Sequence, residues 1–505
     1  MLQSRSSTIT RTAESAVVVF SNTFATSHDR RRSTSRDVTR TTSAHIGSLP
    51  NELLLIIFKF VCMESRVCLM APPNDFPYET TWATDQNVLS PSLFPYAVAS
   101  VCSRWRDILS TVPVFWTRIV ILIDTNPTLS SAIQSYLTWT HDIPLDVIVM
   151  RMPGTFDEDD PDERVRVAAV MKLLGPHVHR CRSLQFDVTY SSSLPSLRQD
   201  FYGVACGLEE LVLECRVDDG GNESSHTVEH RTFEYPILRT LVIDCRNFMD
   251  SCMIDARPFN NVTHLQILHF SPSEGDGERL SLYRVLQTLQ KFRELRSLTL
   301  SDIEFDFASG SYPDSSFPLL PSTVTFEDLS GEIVAEFFRV TNANPHDTII
   351  TSCSACSTDT SGTISSSNLT LEEITAGPDL TKFLGDWHGH ILSLQNCPGF
   401  NDSVLRMCEV AAPNMSELRI SDCPNFSVGA LREMLDRRSK LAAYSDNQWD
   451  LPPFSPITVL TVEGCGPLIS SEDLKWFQGH LSYFYWVTMP WDGDQHASTT
   501  PAPPL

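Results

Sequence analysis

Leu208-Glu209-Glu210-Leu211-Val212-Leu213 recurs as Leu238-Arg239-Thr240-Leu241-Val242-Ile243 and again as Leu295-Arg296-Ser297-Leu298-Thr299-Leu300. The second half of each copy places every other side chain in apolar character, the period of a strand with one buried face. The same alternation marks further candidate strands. Their centres are Ile119/Ile121, Val147/Val149, Leu184/Phe186, Leu211/Leu213, Leu241/Ile243, Leu265/Ile267, Leu298/Leu300, Val324/Phe326, Leu392/Leu394, Leu418/Ile420 and Leu460/Val462. Many successive centres lie roughly twenty to thirty residues apart, enough for one strand and a return helix. A parallel α/β array follows, because parallel neighbours need a crossover connection between them.

Towards the C-terminus a cysteine follows the second inward residue of the strand by three positions, at Cys397, Cys423 and Cys465. A small buried thiol suits the tight turn where the chain leaves the strand, and nothing there requires a metal. Apolar helical stretches follow, over Asn401 to Val410, Val428 to Leu435 and Glu472 to Phe477. These units resemble the cysteine-containing class of leucine-rich repeat. The period slips at an acidic insert, Asp157 to Glu163, a polar one, Asp218 to His230, and a Ser/Thr-rich one, Ser352 to Asn368. The inserts are expected to loop out of the array.

Upstream the pattern changes. Residues 1–44 are polar and rich in Ser, Thr and Arg, too poor in large apolar side chains to offset the entropy of ordering. They are expected to be a disordered tail and not a transit peptide, since Asp29 and Asp37 interrupt the basic run. Pro50 can open a helix, and Leu53, Leu54, Ile56, Ile57, Phe60 and Val61 then cover a face so wide that burial on more than one side is expected. An insert at 64–94 carries Pro72, Pro73, Pro77 and Pro91. A second helix follows Pro95, with Val98, Val101, Cys102, Trp105, Ile108 and Leu109 at helical spacing, and ends before Pro113.

Leu49-Pro50-x-Glu52-Leu53-x-x-x-Ile57-Phe58, followed by Val101-Cys102-x-x-Trp105-Arg106 and Pro113-x-Phe115-Trp116, resembles an F-box. Trp139 to Val149, with Ile143-Pro144-Leu145 before a strand, and Cys181-Arg182-Ser183-Leu184 are similar to the segments that follow it in a large fungal group. In that group the F-box leads into degenerate leucine-rich repeats. The long insert between the helices departs from the family pattern. The resemblance implies a small α-helical F-box at 45–117 and an irregular leucine-rich-repeat solenoid of parallel strands and return helices at 118–488, with a disordered tail at 489–505. It implies a substrate-recognition subunit of a Skp–cullin–F-box ubiquitin ligase. Leu49, Pro50, Leu53, Ile57, Phe58, Val101, Cys102 and Trp105 would then contact the Skp-type adaptor, and through it a cullin scaffold. The residues that would bind the protein substrate are not assigned. The alternative is a repeat-based binding scaffold outside ubiquitination, whose helices only cap the first repeat.

Composition agrees with a protein-binding role. The 505-residue chain carries a net charge of −24; seven arginines against three acids before His45 make the tail +4, leaving −28 for the rest. Such a body disfavours nucleic acid and anionic membrane and favours basic or neutral protein partners. The 14 cysteines are spread through apolar runs, as expected of reduced thiols in a cytoplasmic or nuclear protein. No apolar run reaches the roughly 18 residues that would span a bilayer.

Signals for other chemistry are weak. Cys353-Ser354-Ala355-Cys356 has metal or redox spacing but no second pair. His388-Gly389-His390 and His177-Val178-His179 have no cysteine or carboxylate at ligand spacing and read as turn or surface histidines. The acidic run at Asp157–Glu163 lacks the glycine and terminal glutamate of a calcium loop and reads as solvated. Arg30-Arg31-Arg32-Ser33 fits an import patch or kinase target and a solvated arm equally well. Neither a nucleophile elbow, a phosphate loop, a dinucleotide fingerprint nor a zinc-protease motif occurs. The expectation is therefore a non-enzyme with no metal and no cofactor.

Overall fold

A computed structural model of the chain describes residues 46–67, 88–89, 94–152, 160–220, 233–253, 259–272, 280–306, 317, 319, 321–355, 363–445 and 454–489. The readings made on 1–44, on most of the 64–94 insert, on the middles of the three later inserts, on Cys356 and on 490–505 lie outside these residues. The chain forms two compact units, Met1–Trp116 and Thr117–Leu505.

In the first unit a short turn at Ile46–Ser48 leads into helix α1, Asn51–Val67. The Pro50 carbonyl accepts the Leu54 amide at 3.1 Å, so the proline stands at the helix mouth, where a missing N–H costs nothing. Leu54, Phe58 and Cys62, spaced four apart, form its single buried stripe. The expected burial on more than one side does not occur. The expected single second helix is also two: α2, Tyr96–Ser100, and α3, Ser103–Ser110. Cys102 separates them in an extended conformation, at φ −162° and ψ 165°. Periodicity alone could not reveal this break, because Val98 and Trp105 keep helical spacing across it. Pro113–Trp116 closes the unit as a 3-10 turn, with Trp116 Nε1 donating to the Leu109 carbonyl at 3.0 Å.

The second unit is mixed α/β around one sheet of fourteen strands, placed side by side in chain order and all parallel. The strands are Arg118–Leu122, Leu145–Met150, Cys181–Tyr190, Glu210–Val217, Thr240–Asp244, His264–Phe270, Ser297–Ile303, Thr323–Glu327, Asp347–Thr351, Asn368–Glu372, Ile391–Gln395, Glu417–Ser421, Val459–Cys465 and Tyr483–Met489. Register holds along the whole stack: Leu184 lies beside Leu211, Leu211 beside Leu241, Leu241 beside Leu265 and Leu265 beside Leu298. All eleven expected centres fall on strands in this register. The three strands without an expected centre are those at Asp347, Asn368 and Tyr483. In the first two, Pro345 and Ser366 replace the leading leucine of the motif, and Thr348 takes an inward position that is usually aliphatic.

Returns between strands include the helices Ser130–Trp139, Glu163–Leu174, Leu282–Leu289, Gly331–Thr341, Gly377–Asp386, Asp402–Cys408, Val428–Ser445 and Ser471–His480. The helix from Val428 runs ten residues past the expected Leu435. Between strand and helix lies one continuous apolar core from Ile119 to Phe477.

Two inserts are less detached than expected. Glu163 is fully buried and Asp160 nearly so, where a solvated loop was expected. Arg151 lies 3.6 Å from both carboxylates, and Glu163 accepts the Thr189 amide at 2.9 Å. Ionised groups tolerate burial when charge and hydrogen bonds compensate together. Both ends of the Ser/Thr-rich insert also belong to the stack: Cys353 is buried, Ile364 bridges to Trp387, and Asn368 opens a strand.

The strand exits explain the late cysteines. His269, Asp302, Asp328, Ser352, Glu373, Asn396 and Asp422 each follow a strand's inward pair by two residues, with φ between 48° and 57°. Asn and Asp visit this left-handed region most readily among non-glycine residues. From Asp328 to Asn396, each such amide donates to the last carbonyl of the next strand, as Asn396 does to Ser421 at 2.9 Å. The next residue then points inward. Cys397 Sγ donates to the Leu371 carbonyl at 3.3 Å, and its amide donates to Cys423 Sγ at 3.4 Å. The thiol therefore links adjacent units from a position that buried Leu329 and Ile374 take in other units. Cys465, near the end of the stack, is only half-buried.

Candidate protein-docking surfaces

In the first unit α1 and α3 are clasped by two contacts of different kinds. The Phe58 and Trp105 rings meet edge to face at 5.1 Å. Arg104 Nη2 donates to the Leu49 carbonyl at 2.6 Å and to Asn51 Oδ1 at 2.7 Å, fixing the start of α1. The expected contact residues separate accordingly. Leu53, Ile57, Val101, Pro50 and Cys102 are exposed, Leu49 and Trp105 are half-buried, and Phe58 is buried at 1 % exposure. Phe58 thus holds the helices together from within.

Four further apolar residues of α1 reach solvent: Ile56 at 49 %, Phe60 at 67 %, Val61 at 41 % and Met63 at 62 % exposure. The sequence held the signal for them. Once Leu54, Phe58 and Cys62 supply the inward stripe, the remaining apolar residues of a helix apolar nearly all round must face outward. Among the described residues, α1 displays a contiguous row of large aliphatic and aromatic side chains with Glu52 and Lys59 between them. Exposed apolar surface of this density is characteristic of partner contacts.

In the second unit, the C-terminal ends of the strands carry a row of carboxylates: Asp302, Glu327, Asp328, Glu372, Glu373, Asp422 and Glu463. Asp302, Asp328, Glu373 and Asp422 occupy the left-handed exit positions, so turn geometry already accounts for polar residues there. Glu327 and Glu372 lie in register on adjoining ladders and are not required by the turn. Burial, together with Asp328 and Glu372, raises the Glu327 carboxyl above its ordinary range, against a hydrogen bond from Ser301. His269 feels the same field: burial opposes its protonation, but Asp302, 2.9 Å from Nδ1, and the more distant Glu214 and Asp244 raise it. The row is a negative rim suited to a cationic protein segment.

Several thiols of the stack are kept quiet by burial. Burial pushes those of Cys181, Cys353 and Cys408 up to about 12, well away from the reactive thiolate. All twelve cysteines among the described residues are free. None of the described helices is long and apolar enough to cross a membrane. No protein-family model matches the chain, and no curated protein matches it significantly.

Proposed function

We propose that the chain is an F-box substrate adaptor: its first unit docks on a Skp-type adaptor and so on a cullin scaffold, and its second unit is a leucine-rich-repeat solenoid that holds a protein substrate. The observation that carries this reading is the exposed apolar row of α1, Leu53, Ile56, Ile57 and Phe60, beside exposed Val101. It coincides with the motif Leu49-Pro50-x-Glu52-Leu53 and Val101-Cys102-x-x-Trp105, which resembles an F-box in order and composition. The one-strand-per-unit stack in chain order supports the repeat reading.

The mechanism needs no catalytic side chain. Tethering the substrate beside a charged ubiquitin-conjugating enzyme raises the effective concentration of its lysines. The carboxylate rim suits a basic segment of that substrate, and the two surfaces divide the work between scaffold and cargo.

Co-expression of the full chain with a Skp-type adaptor should yield a stoichiometric complex. Leu53→Asp with Ile57→Asp should abolish capture, because two charges enter an apolar interface, while the melting temperature stays within a few degrees. Full retention of adaptor binding by this variant would sink the proposal and leave a scaffold whose helices serve another partner.

A further inference from the structure

The strand Tyr483–Met489 ends the sheet: it pairs with Val459–Cys465 on one side, and among the described residues no strand lies on the other. The Tyr483 N–H donates to the Thr458 carbonyl at 3.2 Å, and the Met489 carbonyl accepts from the Gly466 N–H at 3.4 Å. In a parallel ladder successive residues turn their backbone groups to opposite neighbours. The odd-numbered residues therefore bond to the preceding strand, and Phe484, Trp486 and Thr488 aim their N–H and C=O groups at the open edge.

Sheet edges are ordinarily blunted by charge, proline or a bulge. This edge has none of them: residues 481–489 carry no charged side chain and no proline, and the ladder to the preceding strand runs without a shift. The row facing away from the core is apolar too, with Tyr483, Tyr485, Val487 and Met489 all exposed, whereas the preceding strand places Thr461 and Glu463 in that row. Nor does the last unit close over its core. Phe484 and Trp486, in register with Leu460 and Val462, pack on Phe477 yet stay only half-buried, where the end of a repeat array normally turns a polar face outward.

The edge is complementary to itself. Set antiparallel about a two-fold axis at Trp486, the open groups of Trp486 meet those of Trp486 in a second copy, and Phe484 meets Thr488, so every open donor and acceptor is paired. The alternate row then sets Tyr485 against Val487 and Tyr483 against Met489, aromatic against β-branched or thioether, in the close positions between hydrogen-bonded pairs. Because the strand is uncharged, two chains of net charge −24 meet here without like charges opposed. The residues that follow in the same chain are poor candidates for the place, since 490–505 include Pro490, Pro501, Pro503 and Pro504 and no run of β-branched or aromatic side chains.

We propose that two copies of the chain pair through this strand, antiparallel about Trp486, so that their sheets become one. The contact goes beyond the adaptor reading and does not depend on it. It gives each assembly two first units and two stacks, and so two-point attachment to any partner that is itself multivalent.

Sedimentation equilibrium of the full chain tests this. A discrete species of twice the 56.6 kDa chain mass is expected at micromolar concentration, and amide exchange at Phe484, Trp486 and Thr488 should slow at least tenfold from dilute to concentrated protein. Tyr485→Lys with Val487→Lys, both at exposed positions, should weaken self-association at least tenfold while the melting temperature stays within a few degrees. Tyr485→Glu with Val487→Glu should do the same. Mixing the lysine chain with the glutamate chain should restore the dimer, because residue 485 stands opposite residue 487 in this register. A monomer at every concentration, an open polymer that grows with concentration, unchanged amide exchange, a dimer indifferent to the lysines, or a mixture that stays monomeric would overturn the pairing.

Discussion

Arg438 is completely buried, with no carboxylate partner among the described residues. Its two terminal nitrogens donate to the carbonyls of Cys408, Ala411, Ala412, Met415 and Ser455 at 2.7–3.2 Å, while Phe454 lies 4.6 Å beneath the guanidinium. Carbonyls that end the helix Asp402–Cys408 and its exit loop take the place of a counter-ion, favoured by the negative end of the helix dipole. Arg180 repeats the device, donating to Thr140 Oγ1 and to the Leu137 and Ile143 carbonyls at the end of Ser130–Trp139. Arg438→Met should leave several buried acceptors unmade and cost at least about 3 kcal/mol in denaturant unfolding. Asp244 is the converse case. Burial pushes its carboxyl up to about 6, although Asn247 donates to it twice. A folded-state value above the unfolded one means that stability is present at low pH and is lost as pH rises from about 4 through 6. Asp244→Asn should remove that dependence. The difference in stability between variant and wild type is expected to grow by up to roughly 3 kcal/mol from pH 4 to pH 7, read by unfolding at each pH.

At the scale of the element, α1 shows how far a helical pattern can be read. Its apolar content and its start at Pro50 were legible, because both depend on nearest neighbours along the chain. Which stripe faces inward was not, since Leu54, Phe58 and Cys62 are distinguished from Leu53, Ile57 and Val61 only by where α3 lies. The break between α2 and α3 escaped for the same reason. Phe58→Ala removes the ring that Trp105 packs against and should cost about 3–5 kcal/mol. Limited proteolysis should then cleave within 46–116 while a fragment beginning near Thr117 persists. Equal loss of both units would show that Phe58 matters beyond its own helix pair. The exits of the strands were only partly legible: Cys397 and Cys423 were marked by spacing, but the left-handed residue before each was hidden because Asp, Asn, Ser, Glu and His all fill that position.

For the whole molecule, the α/β class, the parallel order and eleven of the fourteen strands follow from the spacing of inward pairs such as Leu211 and Leu213. That pattern is local and periodic, so a single chain displays it without any knowledge of contacts. The motif of the first unit is also legible in the chain, and the functional proposal joins it to the exposed row of α1. Other features depend on residues far apart in sequence. Asp160 and Glu163 read as solvent-loving until Arg151 is brought to 3.6 Å from each. The strand at Asn368 is hidden by Ser366, which stands where other units carry a leucine, and only its pairing with the strands at Asp347 and Ile391 reveals it. Sequence by itself therefore determined the architecture and its repeat, because these rest on the polarity of single side chains at regular intervals. Only the tertiary structure decided which apolar face stays open and which charges are buried, because each depends on what another part of the chain places opposite.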